Sequence, residues 1–330
     1  MIQSYKNIQT AEPSTCDVSI VIVNWNARDY LRNCLNSILA ECIDISYEII
    51  VVDNASNDNS CEMLDAEFPS VQVIANSTNN GFAGANNQGI RIAKGRYVLL
   101  LNPDTIVLDK AIDKCIVFAD ERPEIGIVGC QVLDDEVSIS NTCFLFPSPI
   151  TILLTQLGFT RKFAKSRWLG CSEMGWWDRK DEREVEVVTG MFMLTRKSAI
   201  EKVGLMDEDY FIYAEEADWC YRFWKAGYKC VFTPTSRIIH IEGGGKSTAQ
   251  IPERMFVQKQ KSLLLFQKKN RGLLAWVATW LIFVGSQLIR MPILAAMYVF
   301  DKQGERGSDI RVRLTVAAVK YHLLRIEPKM

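Results

Sequence analysis

The feature that most constrains this chain is a series of short β-branched runs that each stop at a polar cluster. Val18–Val23 (VSIVIV) stops at Asn24, and Glu48–Val52 (EIIVV) stops at the cluster Asp53-Asn54-Ala55-Ser56-Asn57-Asp58. Arg96–Leu101 (RYVLLL) stops at Asn102-Pro103-Asp104, and Val71–Ala75 supplies a further run. Unbroken apolar runs of this length predict strands buried on both faces. Between them Leu31, Leu35, Ile38 and Cys42 share one helical face, and a short helix follows the Gly/Asn-rich stretch Asn79–Gly89. Strands that alternate with helices predict an α/β fold with a mainly parallel, right-handed sheet whose ligands sit beyond the carboxyl ends. Asn24, Asp53 and Asn102–Asp104 all fall there.

Composition narrows the chemistry. The chain has 330 residues, 48% hydrophobic and 23% charged, which excludes intrinsic disorder and fibrous repeats. Its two histidines, His240 and His322, leave almost no material for a His-rich zinc site or a multi-histidine mechanism. The ten cysteines form no C-x-x-C pair and several lie in apolar runs, as reduced, buried thiols do. Met1 to Asp17 is polar and lacks the apolar core of a signal peptide, so a cytoplasmic setting is expected.

Charge is divided unevenly. Residues 251–330 carry 14 Lys+Arg against 5 Asp+Glu, leaving 24 against 34 in residues 1–250, so the two parts carry about +9 and −10. An acidic body with a basic, apolar tail points to an anionic membrane surface and away from nucleic acid, whose basic stripe belongs on the folded domain. Leu273–Ile289 is seventeen residues without a charge, followed by Arg290-Met291-Pro292 and a second apolar run, Ile293–Phe300. That length is at the lower limit for a span, and the Arg-Met-Pro break favours two helices lying in or dipping into one leaflet, with a single span as the open alternative.

Three motifs carry chemistry. Asp104, after a strand and next to Asn102, is placed to ligate Mg2+ or Mn2+ on a diphosphate. Tyr213-Ala214-Glu215-Glu216-Ala217-Asp218 packs three carboxylates among Phe211, Trp219, Phe223 and Trp224. Carboxylates that dense amid aromatics are costly unless paired, metal-bound or catalytic, and a desolvated Glu216 would serve as general base. Ile239–Thr248 carries Gly245-Lys246-Ser247 but has His240 where a P-loop needs its first glycine. Lys246 on such a glycine loop can still fold over a diphosphate, and His240 can supply a metal nitrogen. Gly81-Phe82-Ala83-Gly84-Ala85 lacks G-x-G-x-x-G, so a Rossmann dehydrogenase is disfavoured.

In their order, Val18–Asn26, Glu48–Asn57, Asn79–Gly89, Leu99–Thr105, Val188–Leu194, Met206–Arg222 and His240–Ser247 resemble glycosyltransferase family 2 over residues 17–250. The likeness is to its rhamnosyltransferase-like branch, and the apolar C-terminal segment is similar to that of membrane-associated members. The resemblance implies the GT-A nucleotide-diphospho-sugar transferase fold. It divides the chain into a polar tail (1–16), a catalytic domain (17–250, with a nucleotide-binding half to 110 and an acceptor-binding half from 111) and a helical membrane-associated region (251–330). Asn24, Asn26, Asp53, Asn86, Asn102 and Lys246 are implied on the donor nucleotide, with Asp104 and His240 on the metal. Asn102 stands where the family's D-x-D motif has its first acid, leaving Asp104 as the main carboxylate. Glu216 takes the place of the family's base, with Glu215 and Asp218 as alternates, and Thr189, Gly190, Asp207 and Trp219 lie toward the acceptor.

The activity so implied is an inverting, metal-dependent transfer of a sugar, L-rhamnose from dTDP-L-rhamnose, to a lipid-linked or saccharide acceptor. The place implied is the cytoplasmic face of the bacterial plasma membrane, where surface polysaccharide is built, with a peripheral or monotopic attachment. Two alternatives stay open at this level: a sugar-phosphate nucleotidyltransferase on a related sheet, and a membrane-bound scaffold that lost its chemistry with the first acid of the metal motif.

Overall fold

A computed structural model describes residues 16–241, 252–300 and 306–328. Its first half alternates strictly: β1 (Cys16–Asn24), α1 (Arg28–Glu41), β2 (Tyr47–Asp53), α2 (Ser60–Glu67), β3 (Gln72–Ala75), α3 (Gly81–Ile92) and β4 (Gly95–Leu101). Strands β3, β2, β1 and β4 lie side by side and parallel, with Asn24 opposite Asp53 and Ile22 opposite Leu101. Leu31, Cys34, Leu35 and Ile38 recur at helical spacing on α1 and are all buried against one face of this sheet.

The chain continues through β5 (Thr105–Leu108), α4 (Ala111–Asp120), β6 (Ile125–Leu133), β7 (Cys143–Phe144), α5 (Pro149–Gln156), α6 (Phe159–Lys162) and β8 (Arg183–Val185). It then forms β9 (Val187–Val188), β10 (Phe192–Arg196), α7 (Lys197–Val203), α8 (Glu215–Lys225) and β11 (Lys229–His240). Among the described residues the main sheet has nine strands in the order β3-β2-β1-β4-β10-β6-β11-β5, with β8 on β11. β10 enters antiparallel between β4 and β6. β11 runs parallel to β6, shifts register between Thr233 and Arg237 around Pro234, and ends antiparallel to β5 with His240 opposite Thr105. Proline cannot donate to the ladder, so the irregularity falls where the sequence requires it.

The apolar run Glu186–Thr195 is divided between two sheets. β9 pairs with β7 and β10 with the main sheet, and the chain steps across at Thr189–Met191. A Cβ on Gly190 would lie 2.9 Å from the Phe82 ring, so the step admits no side chain without movement there. The described tail holds α9 (Pro252–Phe266), a π-helical turn (Gln267–Arg271), α10 (Leu273–Phe300) and α11 (Arg306–Leu324). The two-helix reading of the tail's apolar runs is corrected here: α10 is a single helix of 28 residues with Pro292 inside it. Proline removes one backbone donor, and flanking turns rich in Leu, Ile and Ala carry the helix past that loss.

Candidate active site

At the carboxyl ends of β1, β2 and β4 the polar clusters converge because parallel strands end on one edge. Asn24 donates from Nδ2 to Asp53 Oδ1 at 2.8 Å and to Ser56 Oγ at 3.1 Å. The Ser56 amide donates to Asp53 Oδ2 at 2.9 Å, and the Asn26 amide to Ser56 Oγ at 2.9 Å. Asn24, Asp53 and Asn54 are buried, and Asn24 Oδ1 has no hydrogen-bond partner. A buried amide oxygen without a hydrogen-bond partner is uncommon in a folded protein. Ala55, Asn26 and Asn59 all take left-handed backbone near φ +53 to +65°. Each such residue costs on the order of 1–3 kcal/mol, and such strain clusters where a loop is held for binding.

Below β4 the Asn102 amide donates to Met191 O at 3.1 Å, and its carbonyl accepts from Thr105 Oγ1 at 2.7 Å. This turn brings the Gly190 step beside the strand end and leaves Asp104 buried. The Ile241 amide donates to Asp104 O at 3.0 Å, which ties the end of β11 to the same turn. His240 Nε2 stands 3.1 Å from Asp104 Oδ1, and that oxygen has no hydrogen-bond partner. One orphaned carboxylate oxygen beside one imidazole nitrogen is a donor pair that fits Mg2+ or Mn2+. Among the described residues no group of three His, Cys, Asp or Glu could hold a metal, so a bound cation would take its other ligands from donor phosphate and water. Lys246 lies outside the described residues.

Opposite these elements stands the acidic start of α8. The Phe82 amide donates to Phe211 O at 2.7 Å, and Asn54 Nδ2 donates to Gly81 O at 3.1 Å. The loop leading into α8 is therefore joined through α3 to the cluster after β2. Tyr213 and Ala214 then take left-handed backbone at φ +71° and +64°, which turns the chain sharply into Glu215. Glu215 is buried and Glu216 half-buried, and one carboxylate oxygen of each is fully enclosed without a hydrogen bond. Burial, then the adjacent Glu216 carboxylate, pushes Glu215 well above the usual carboxylate range. Burial also raises Glu216, while Lys259 pulls it back. Both carboxyls of the pair are thus raised in proton affinity, with burial the first cause for each.

The remaining expected site residues are distributed differently. Asp218 is spent on structure: it accepts from Arg222 Nε at 2.8 Å, Asn270 Nδ2 at 2.7 Å and the Tyr210 hydroxyl at 3.4 Å. Trp219 is corrected from acceptor contact to core residue, because it is fully buried one turn after Glu215 and its Nε1 donates to Gly204 O at 2.9 Å. Asp207 pairs with Lys269 of the tail, and Thr189 donates its amide to Thr142 O at 3.2 Å. Asn86 is buried with Nδ2 donating to Phe82 O within α3, whereas its neighbour Asn87 bridges to Met206 O and Glu208. Sequence reasoning passed over Ser56, Asn87 and Asn270. Ser56 was legible as a turn-forming member of the cluster after β2, while Asn270 carries no local signal.

Residues 19–149 match the family model described as glycosyl transferase family 2. The chain is 26% identical over 266 residues to the N-acetylglucosaminyl-diphospho-decaprenol L-rhamnosyltransferase of Mycobacterium tuberculosis, covering 75% of this chain and 82% of that protein. It is 24% identical over 246 residues to the O-antigen biosynthesis protein RfbC of Myxococcus xanthus, covering 72% of this chain and 18% of that protein. Among solved structures, the mannosyltransferase PcManGT of Pyrobaculum calidifontis in complex with GDP-Man and Mn2+ has a TM-score of 0.53 at 15% identity, over 98% of this chain and 92% of that one. GalNAc-T7 with UDP, GalNAc and Mn2+ has a TM-score of 0.51 at 17% identity, over 75% of this chain and 51% of that one. At such identities the structures speak for the fold alone. Residues 19–149 match the glycosyl transferase family 2 model, the fold is GT-A, and the curated relatives to which the chain is similar include a rhamnosyltransferase.

Proposed function

We propose that the protein transfers a sugar, L-rhamnose from dTDP-L-rhamnose, to a hydroxyl of a lipid-linked or saccharide acceptor, with inversion, during assembly of bacterial surface polysaccharide. The observation that carries this reading is the Glu215–Glu216 pair: two carboxyls of raised proton affinity, each with one enclosed oxygen, tied through Phe211 and Gly81 to the buried polar cluster around Asn24 and Asp53. The choice of rhamnose and of a lipid-linked acceptor is supported by the name of the mycobacterial relative. Residues 17–110 are read as the nucleotide half and those from 111 as the acceptor half.

Glu216, ionised beside a protonated Glu215, accepts the proton of the acceptor hydroxyl as the oxygen attacks the anomeric carbon. The bond to the departing nucleoside diphosphate breaks in the same displacement, which inverts the centre without a glycosyl-enzyme intermediate. Asp53 and Ser56 fix the loop that presents Asn24 and Asn26 to the base and ribose. Asp104 and His240 would hold Mg2+ or Mn2+, which when bound neutralises charge on the diphosphate. Among the described residues the cysteines form no disulfide, and the cytoplasmic side of the membrane is part of the proposal.

The test is Glu216→Gln in the full chain, with sugar transfer and donor binding read separately. Loss of transfer by roughly 10²–10⁴-fold with nucleotide binding kept is expected. Undiminished turnover would remove Glu216 from the role, and a product of pyrophosphate in place of nucleoside diphosphate would remove the reaction class.

A further inference from the structure

We infer that residues 149–168, an excursion from the catalytic domain, form a second membrane-docking element that seats on the headgroups of an anionic bilayer. Apolar side chains stand uncovered along it: Ile150, Leu153, Leu157, Phe159, Phe163 and, 84% exposed, Trp168. Interleaved with them are Arg161, Lys162, Lys165 and Arg167, and no acidic residue occurs between Glu136 and Glu173. None of the four cations makes an ion pair among the described residues; Arg167 stacks over the Trp176 ring at 4.6 Å. Isolated exposed apolar residues are ordinary, but six in twenty positions joined by like-signed charge need an apolar and anionic partner at once.

The geometry says which partner. α5 has eight residues and α6 four, far too short to cross a bilayer, so the segment can only lie in its interface. α5 packs on α10, where Ile152 meets Phe283 in a small core, Ser286 Oγ donates to Gln156 Oε1 at 3.3 Å, and Arg290 reaches Gln156 O. That neighbour holds an apolar window, Leu273–Pro292, of mean hydropathy 1.5, only 17% of it buried inside the molecule. The excursion that exposes these apolar side chains is thus packed directly on the apolar helix. Aromatic rings with basic neighbours match the headgroup level, where the rings take the boundary and the cations take lipid phosphate. Two contacts, one on the tail and one on the acceptor half, fix the orientation of the catalytic domain on the membrane, which a single anchor leaves free.

The experiment is co-sedimentation of the full chain with vesicles of phosphatidylcholine alone and of phosphatidylcholine mixed with phosphatidylglycerol. The wild type and Arg161→Glu/Lys162→Glu/Lys165→Glu are compared, with Arg167 left in place because it packs on Trp176. The triple variant is expected to bind the mixed vesicles at least roughly tenfold more weakly while keeping its thermal midpoint. In brominated-lipid vesicles, quenching of tryptophan emission is expected to be smaller for Trp168→Phe than for wild type. Equal binding of wild type and folded triple variant overturns the inference, as does identical quenching. If the triple variant fails to fold, wild-type binding to mixed vesicles must still fall steeply with added salt, and a flat response overturns it. Vesicle binding is read without sugar transfer, so its failure is separate from failure of the proposed reaction.

Discussion

At the scale of single residues the site is defined by polar atoms that the fold encloses and leaves unused. Glu215 is the clearest, and its linkage has a definite sign. Its folded-state proton affinity is raised by burial and by Glu216, so the stability it lends is fully present below the unfolded value near 4.5 and is lost as pH rises through the raised folded value. Glu215→Gln imitates the protonated form. The difference in thermal midpoint, variant minus wild type, is expected to grow as pH is raised from acid to neutral; a difference independent of pH would mean that Glu215 carries no shifted proton. Asp104 supplies the second residue-level prediction. Nucleotide in hundredfold excess over its Kd stabilises a protein by about 2.7 kcal/mol, so UDP, dTDP and GDP with Mn2+ should rank by the rise in midpoint they cause. The metal-dependent part is expected to vanish in Asp104→Ala and to shrink in His240→Ala, and a shift preserved in both would move the cation elsewhere. How much of this was legible in the sequence follows from chemistry. Asp104, Glu215 and Glu216 announced themselves as charges in apolar surroundings, which need a reason to be there. Trp219 and Asp218 sat in the same motif, yet no spacing says which way a side chain on α8 points, and both turned inward.

At the scale of elements, β1, β2 and β4 were readable because buried parallel strands are continuous apolar runs, and α1 because its buried face repeats at helical spacing. The step between β9 and β10 was not, since one apolar run served two sheets. Least readable was the junction of tail and body, whose contacts join residues 49 or more apart. Asn270 Nδ2 donates to Asp218 Oδ1 at 2.7 Å, Asn270 O accepts from the Tyr221 hydroxyl at 3.3 Å, and Ser262 Oγ donates to Ile212 O at 2.8 Å. Lys269 pairs with Asp207 and Asp209. The π-helical turn thus grips both the loop before Glu215 and the helix that carries it, making Asn270 a positioning residue. Asn270→Ala is expected to cost about 1.5–3 kcal/mol, the worth of a hydrogen bond to a charged group, and to lower kcat while donor binding holds. Asn270→Asp sets a carboxylate against Asp218 and should be worse at neutral pH and partly restored in acid. An Asn270→Ala chain with wild-type kcat would reduce the junction to packing alone.

At the scale of the whole molecule, the division suggested by charge and the division made by packing differ. The basic tail begins near residue 251, yet Phe266 is fully buried in the same core as Trp219, Cys220 and Phe223, and Gln267 Nε2 donates to Pro147 O at 3.0 Å. α9 and the turn after it therefore belong with the catalytic body. We place the boundary at Gly272, whose φ of +89° breaks the helix and around which a Cβ would meet nothing within 4 Å. Beyond it α10 exposes Leu274, Leu281 and Ile289. This boundary separates two truncations that composition would treat alike. A chain ending at Gly272 is expected to keep nucleotide-dependent stabilisation and to lose most of its membrane partition, with a remnant on anionic vesicles held by residues 149–168. A chain ending at Ile251 also loses Phe266, a core aromatic of a class whose truncation to alanine costs about 3–5 kcal/mol, together with Asn270 and the grip on α8. That chain should melt well below the longer one and fail to respond to nucleotide. Thermal melts with dTDP and Mn2+ compare the two directly. If both truncations melt together, the tail is an independent anchor from residue 252 onward; if the shorter one collapses, the body is complete only with the first tail helix packed against the element that carries Glu215 and Glu216.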